Sequence, residues 1–306
     1  MSSQGGFHSI LVPLDGHPLA EQALPVGRQV ARRCGATLHL VTVQPPMSPL
    51  VHTSDVAAMA QEIEEDTAQA MRAYVERVAA MARCDDVTIA SALLEGPPAE
   101  CLAAYVRDHG IELVVMTTHG RGGLSRIWLG SVADRLLRTV DVPVLLLRAR
   151  DTPQPVDYRR VLVAVGERAE LELIEPALTL GAVAGATSYV LVHVIEPPPP
   201  ILPPVPVQAP LLGPEWIRAR HDAAMGYLAP LAERLSEHGL SVETRVMVGG
   251  PVAAEILELA RTTGADLIAM GTHGRRGLAR LVLGSVADKV VRGGDTPVLV
   301  TPLLAD

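Results

Sequence analysis

The sequence predicts an α/β protein built of two tandem units, each a parallel sheet covered by helices on both faces. One stretch of the chain occurs twice. Residues 117–148 read TTHGRGGLSRIWLGSVADRLLRTVDVPVLLLR and residues 271–302 read GTHGRRGLARLVLGSVADKVVRGGDTPVLVTP, with about 18 of the 32 aligned positions identical. Short, nearly continuous aliphatic runs also alternate with longer segments that carry apolar residues at 3–4 spacing, the signature of strands buried on both faces between crossover helices. The length of 306 residues suits two domains, and the repeat spacing of about 154 gives the size of one.

Each half opens on an apolar strand, Ser9–Leu14 (SILVPL) and Arg160–Val165 (RVLVAV). A helix follows and ends in Gly-Ala-Thr, at Gly35–Thr37 and Gly185–Thr187. The second strand is Leu38–Val43 in one half and Ser188–Ile195 in the other. A Pro-containing loop then leads to a long helix, about 55–83 and about 214–238, whose apolar residues recur at 3–4 spacing. The third strand (Val87–Leu94, Val242–Val248) runs to Gly-Pro, at Gly96-Pro97 and Gly250-Pro251. Proline just inside a helix start is favoured, so these dipeptides mark the third helices. The fourth strand (Leu113–Met116, Leu267–Met270) enters the repeated loop. A fourth helix and a Pro-Val-Leu strand (Pro143–Leu147, Pro297–Val300) close each half. The boundaries expected are a first domain at 1–148, a linker at 149–157 (ARDTPQPVD) and a second domain at 158–306. The proline-rich segment 196–214 reads either as a stiff exposed excursion or as a polyproline ligand for a partner groove.

Composition narrows the function. The chain carries 26 Lys and Arg against 34 Asp and Glu, a net charge of −8, which argues against a general nucleic-acid or anionic-membrane surface. Arginines do gather beside the repeated loops, at Arg121 and Arg126 and at Arg275, Arg276 and Arg280. The three cysteines (Cys34, Cys84, Cys101) lack metal spacing and suit a reduced, cytoplasmic setting. The start, MSSQGGFHSILVPLDG, is not expected to be a signal peptide, and no run of ~18 apolar residues suggests a membrane span. No P-loop lysine, no nucleophile–base pair and no carboxylate pair spaced for Mg²⁺ is visible. No catalytic residue and no metal ligand is therefore expected.

The informative chemistry lies in the repeat. A Gly-Ser pair that begins a helix, at Gly130-Ser131 and Gly284-Ser285, points unpaired backbone N–H groups, a hydroxyl and the positive end of the helix dipole at one place. Such a place suits a phosphate. In a parallel sheet it lies beyond the carboxyl ends of the strands, where the strand order reverses and where the loop after the first strand should meet it.

These residues resemble the universal stress protein family in its tandem form, whose nucleotide-binding members carry Gly-x-x-Gly, nine residues, then Gly followed by Ser or Thr. The second half has the full pattern, from Gly271 and Gly274 to Gly284-Ser285. The first half has Thr117 in place of the first glycine, then Gly120 and Gly130-Ser131. The resemblance covers nearly the whole chain. It implies flavodoxin-like, Rossmann-like five-stranded sheets of order 3-2-1-4-5, an adenine nucleotide at the switch point (ATP, with or without Mg²⁺), and pairing of the two domains through their last strands. It also leaves room for a homodimer and for an unidentified protein partner. Adenine would sit near Val43 in the first half and Val194 in the second. Pro13, Leu14 and Asp15 would contribute from the end of the first strand, aligned with Ala164, Val165 and Gly166. Ribose and phosphates would meet Met116, Thr117, His119, Gly120, Gly130, Ser131 and Val132, and likewise Met270, Gly271, His273, Gly274, Gly284, Ser285 and Val286. Arg121 and Arg275 either reach phosphate oxygens or are solvated loop charges.

Each half departs from the pattern in its own place: Thr117 adds a Cβ where glycine lets backbone approach a ligand, and Gly166 stands where the first half has Asp15. Losing that carboxylate would cost ~1–3 kcal/mol, so unequal sites are expected. His119 and His273 could act as general bases or hydrogen-bond their own loops. Asp15 could touch a ligand or cap the first helix, and Asp134 and Asp288 could serve only the helix dipole. The resulting expectation is an ATP-binding stress-response protein that acts through conformation or partner contact, with at most slow hydrolysis or autophosphorylation. The rival is a nucleotide-independent dimeric scaffold.

Overall fold

The computed structural model describes residues 6–46, 54–83, 86–118, 129–148, 157–166, 171–197, 214–237, 239–272 and 283–302. The chain divides into two compact units, parting between Val156 and Asp157.

In the first unit, β1 (Ser9–Leu14) leads through α1 (Pro18–Glu21) and α2 (Ala23–Cys34) to β2 (Thr37–Gln44). Then come α3 (Ser54–Ala82), β3 (Thr88–Glu95), α4 (Pro98–Asp108), β4 (Leu113–Thr117), α5 (Ser131–Thr139) and β5 (Val144–Leu147). Parallel pairing joins β3 to β2, β2 to β1, β1 to β4 and β4 to β5, giving the order 3-2-1-4-5. The aliphatic runs explain why these strands lie centrally: Ile10, Leu11, Val12, Leu38, Leu40, Leu113 and Val114 are completely buried and covered by helices on both faces. Edge strand β3 is partly exposed along its length.

Helix α2 buries Ala23, Val26, Gly27, Val30 and Ala31, the i, i+3, i+4, i+7, i+8 stripe of a helix lying on a sheet. Gly35 ends it in the left-handed conformation, φ +69. One uninterrupted first helix is expected from the sequence, yet two segments form, separated at Gln22. Pro25 explains the break: it has no N–H to bond the carbonyl of Glu21, and its ring crowds that carbonyl.

The second unit repeats the plan with β6 (Arg160–Ala164), α6 (Leu171–Ala184), β7 (Ser188–Ile195), α7 (Pro214–Glu237), β8 (Ser241–Val248), α8 (Val252–Thr263), β9 (Leu267–Thr272), α9 (Ser285–Gly293) and β10 (Val298–Pro302). Parallel pairing runs β8–β7–β6–β9–β10. Strand β6 stops one residue short of the expected Val165. Strands β4 and β9 run past the expected Met116 and Met270, so Thr117 and Gly271 are paired within the sheet, opposite Leu147 and Thr301. Among the described residues no helix is long and apolar enough to cross a membrane. The proline-rich stretch, apart from its ends, falls outside the described residues.

Candidate functional site

In the first unit the sheet brings four chain segments to one carboxyl edge: the ends of β1, β2 and β4, and the start of α5. Pro13 and Leu14 finish β1, and Leu14 is 4% exposed. Asp15 follows it, exposed, and Gly16 turns the chain at φ +83, a conformation that favours glycine. One Asp15 carboxylate oxygen accepts a hydrogen bond from the His17 N–H at 3.0 Å, and His17 Nδ1 accepts from the Leu19 N–H to cap α1. Asp15 thus shapes the turn, while its side chain also faces open space.

That space is a cavity of about 450 Å³ lined by Asp15, Gly16, Thr42, Asp66, Met71 and Tyr74, among others. Thr42 lies beside Leu14 in register and is completely buried, yet its hydroxyl has no hydrogen-bond partner among the described residues. Two residues further along the same strand, Gln44 is 4% exposed. Its amide nitrogen donates to the Glu64 carbonyl at 3.1 Å while its Oε1 has no partner among the described residues. Buried polar atoms without partners are costly and uncommon. Burial, and then the negative charge of Glu21 and Asp15, raise the Tyr74 pKa far above its usual value, so the phenol keeps its proton and remains a donor. The corner therefore combines two carboxylate acceptors, a hydroxyl and a phenol.

Val43 (8% exposed), Met116 and Thr117 (8% each) complete the strand ends. Across the edge, Gly130 is the N-cap of α5 at φ −58, ψ 148, and as glycine it brings no side chain to cap the helix. Ser131 is exposed and Val132 half-buried at its first turn. An extended backbone such as that of Gly130 is open to any residue. As an N-cap, glycine is about as good as Thr and only slightly worse than Ser, Asp or Asn, and its missing side chain leaves the helix N–H groups uncovered.

In the second unit Ala164 ends the first strand, with Val165 (4% exposed) and Gly166 just beyond it; Val194 (9%) lies near the end of the second, and Met270 (3%) and Gly271 lie at the end of β9. Gly284 is the N-cap of α9 at φ −53, ψ 143, again without a side-chain cap, ahead of an exposed Ser285 and a half-buried Val286. The position of Thr42 is taken here by His193, 9% exposed. Its Nδ1 donates to the Val165 carbonyl at 2.8 Å and its ring stands edge-on to Tyr227, centroids 5.3 Å apart.

His119, Gly120, Arg121, His273, Gly274 and Arg275 lie outside the described residues. Asp134 and Asp288 are engaged within their own helices, Asp134 with Arg138 at 2.8 Å and Asp288 with Arg292 at 2.7 Å, and this favours the dipole-and-pairing role for them. Sequence reasoning passed over Thr42, Asp66, Tyr74 and His193. The available signal was a polar residue near the end of each aliphatic strand run, Thr42 in TLHLVTVQ and His193 in SYVLVHVI, and an aspartate eight residues before a tyrosine on one helix. Among the described residues no group of three or more His, Cys, Asp or Glu could hold a metal ion.

The model of the universal stress protein family matches residues 6–148 and again residues 157–302. A universal stress protein of Mycobacterium tuberculosis is 26% identical over 325 aligned positions, covering 100% of this chain and 98% of that protein. One from Methanocaldococcus jannaschii is 32% identical over 144 positions, 47% of this chain and 81% of that protein. The crystal structure of a universal stress protein from Archaeoglobus fulgidus superposes with a TM-score of 0.66 at 19% identity, covering 99% of each chain. The two family matches, one over each parallel sheet, show that the chain belongs to the universal stress protein family, in tandem form.

Proposed function

We propose that the chain binds ATP at the carboxyl edge of its sheets and acts through nucleotide-dependent conformation or contact with a protein partner. The observation that carries this reading is the pair of uncapped Gly-Ser helix starts, at Gly130-Ser131 and Gly284-Ser285, whose glycines have ordinary backbone angles. Free N–H groups and a helix dipole at such a start favour an anion. In the first unit the same edge carries the Asp15–Thr42 cavity, whose volume and mix of apolar and polar walls suit a nucleoside.

Within this reading Asp15 accepts a hydrogen bond from the sugar or base, Val43 lies against the base, and Gly130, Ser131 and Val132 meet the phosphates. In the second unit Gly284, Ser285 and Val286 take the corresponding phosphate-contacting places. Mg²⁺, which keeps several waters, would travel with the phosphates rather than in a protein cage. No residue is assigned to hydrolysis, which is at most slow.

Calorimetry with ATP and GTP tests the reading, together with mass spectrometry of nucleotide released from freshly purified, denatured protein. The expected result is ATP binding, tighter than GTP. No ATP binding at about millimolar concentration, with or without Mg²⁺, would replace it with a nucleotide-independent scaffold.

A further inference from the structure

The two units differ at one buried strand position. In the first, Thr42 is completely buried, its hydroxyl without a partner among the described residues, beside an open cavity of about 450 Å³ lined by Asp15, Asp66 and Tyr74 among others. In the second, His193 follows the register pair Ala164–Val192 by one residue, as Thr42 follows the pair Pro13–Val41. The two corners correspond, because Thr42 shares its cavity with Tyr74 of α3 while His193 meets Tyr227 of α7.

An imidazole reaches about two atoms further than a threonine side chain, and here it is fixed at both ends. Nδ1 donates to the Val165 carbonyl, and the ring abuts Tyr227 at 86° between planes. A carbonyl only accepts, so Nδ1 carries the proton. The ring therefore lies in the corner beside the strand end, next to Gly166, the residue aligned with Asp15 of the first unit.

Resting on the nucleotide reading, we infer that position 42/193 determines which part of the ligand each unit recognises. Thr42 leaves the first unit open to the nucleoside, whereas His193 fills the second and restricts its recognition to the phosphate chain. The first site discriminates between bases. The second takes ATP, GTP and inorganic tripolyphosphate alike.

The test is calorimetry on the full chain with those three ligands, comparing wild type with Thr42→His and His193→Thr, each checked by thermal melting. In wild type, one ATP site should resist competition by GTP and the other should yield equally to GTP and tripolyphosphate. Thr42→His should erase the base preference of the first site, about tenfold or more. His193→Thr, which truncates a buried side chain and frees the Val165 carbonyl, should stay folded by thermal melting at a lowered midpoint and give the second site a preference for ATP over tripolyphosphate. If both sites of wild type prefer ATP over tripolyphosphate equally, or if folded His193→Thr behaves as wild type, the inference is overturned and ATP binding stands. If wild type binds no ATP, the nucleotide reading itself has failed.

Discussion

The imidazole of His39 bridges Ser9 and Tyr105 inside the first unit, with Nε2 3.0 Å from the serine hydroxyl and Nδ1 2.9 Å from the phenol. It is 8% exposed, and His109 stacks on Tyr105 with ring centroids 3.7 Å apart. Burial, and then the charge His109 carries when protonated, lower the His39 pKa from 6.5. The unfolded chain then binds a proton that the folded chain resists, so ν_U exceeds ν_N as pH falls below about 6.5 and stability falls with it. The contribution is fully present above that value and is lost towards the folded pKa. His39→Gln keeps a donor and an acceptor but cannot titrate. Wild type should therefore lose more of its urea midpoint than the variant between about pH 7.5 and about pH 5.5. Parallel losses in the two proteins would show that the imidazole does not carry the effect.

Gly27, inside α2, faces the sheet so closely that a Cβ placed on it would lie 2.6 Å from Val12 Cγ2 and 3.3 Å from Leu38 Cδ1. In a solvent-facing helix alanine is better than glycine by about 1 kcal/mol. At this position the overlap costs about 1–3 kcal/mol and outweighs that gain. Gly27→Ala should lower the urea midpoint, with a net loss of about 1 kcal/mol. A raised midpoint would mean that the helix can lift off the sheet at little cost.

The strands and glycine pattern were legible because each depends on few residues close in sequence. A run such as SILVPL has to be buried, and Gly-Ser followed by Val-Ala-Asp has to start a helix. The break at Gln22 was legible in principle from Pro25, but proline near a helix start reads equally well as a favoured N-terminal residue. The corner around Thr42 was not legible, because Asp15, Thr42, Asp66 and Tyr74 come from three elements and meet only through strand order and helix placement. The significance of His193 also needed the fold. Its partner, the Val165 carbonyl, is a backbone atom that no sequence pattern singles out.

Asp15 holds the turn through the His17 N–H and also faces the cavity, so the two roles have to be separated. Asp15→Asn keeps an acceptor for the turn and removes the charge. It should leave thermal stability nearly unchanged and weaken ATP at the first site by roughly tenfold, since a hydrogen bond to a charged group contributes about 1.5–3 kcal/mol. Unchanged ATP affinity in a folded Asp15→Asn protein would confine this residue to its turn.

Asp134 serves as the internal control for the same helix start. Its carboxylate accepts from Arg138 at 2.8 Å, one turn on, and such i,i+4 pairs contribute about 0.3–0.5 kcal/mol. Asp134→Asn should shift the midpoint by no more than that and leave ATP affinity alone. A large loss of nucleotide binding would move this carboxylate from helix electrostatics into the site.

The two helix starts should not contribute equally to ATP binding. Gly284 belongs to the half whose glycine pattern is complete, whereas the first half has Thr117 at the position of Gly271, buried within its strand. The backbone angles at Gly130 and Gly284 are open to valine, so Gly→Val tests crowding at the N–H groups rather than backbone strain. Valine is a poor N-cap, which costs each helix about 0.5–1 kcal/mol and should leave the protein folded. Each phosphate contact proposed at these N–H groups would be charge-assisted, and losing two or three would remove several kcal/mol of binding at the altered site, about 3 or more. Gly284→Val should therefore remove more of the total ATP binding measured by calorimetry than Gly130→Val. If Gly130→Val does more damage, the nucleoside end around Asp15 and Thr42 dominates affinity and the phosphate grip of the second unit is the weaker one. If both variants bind ATP as wild type does, the Gly-Ser starts hold no phosphate.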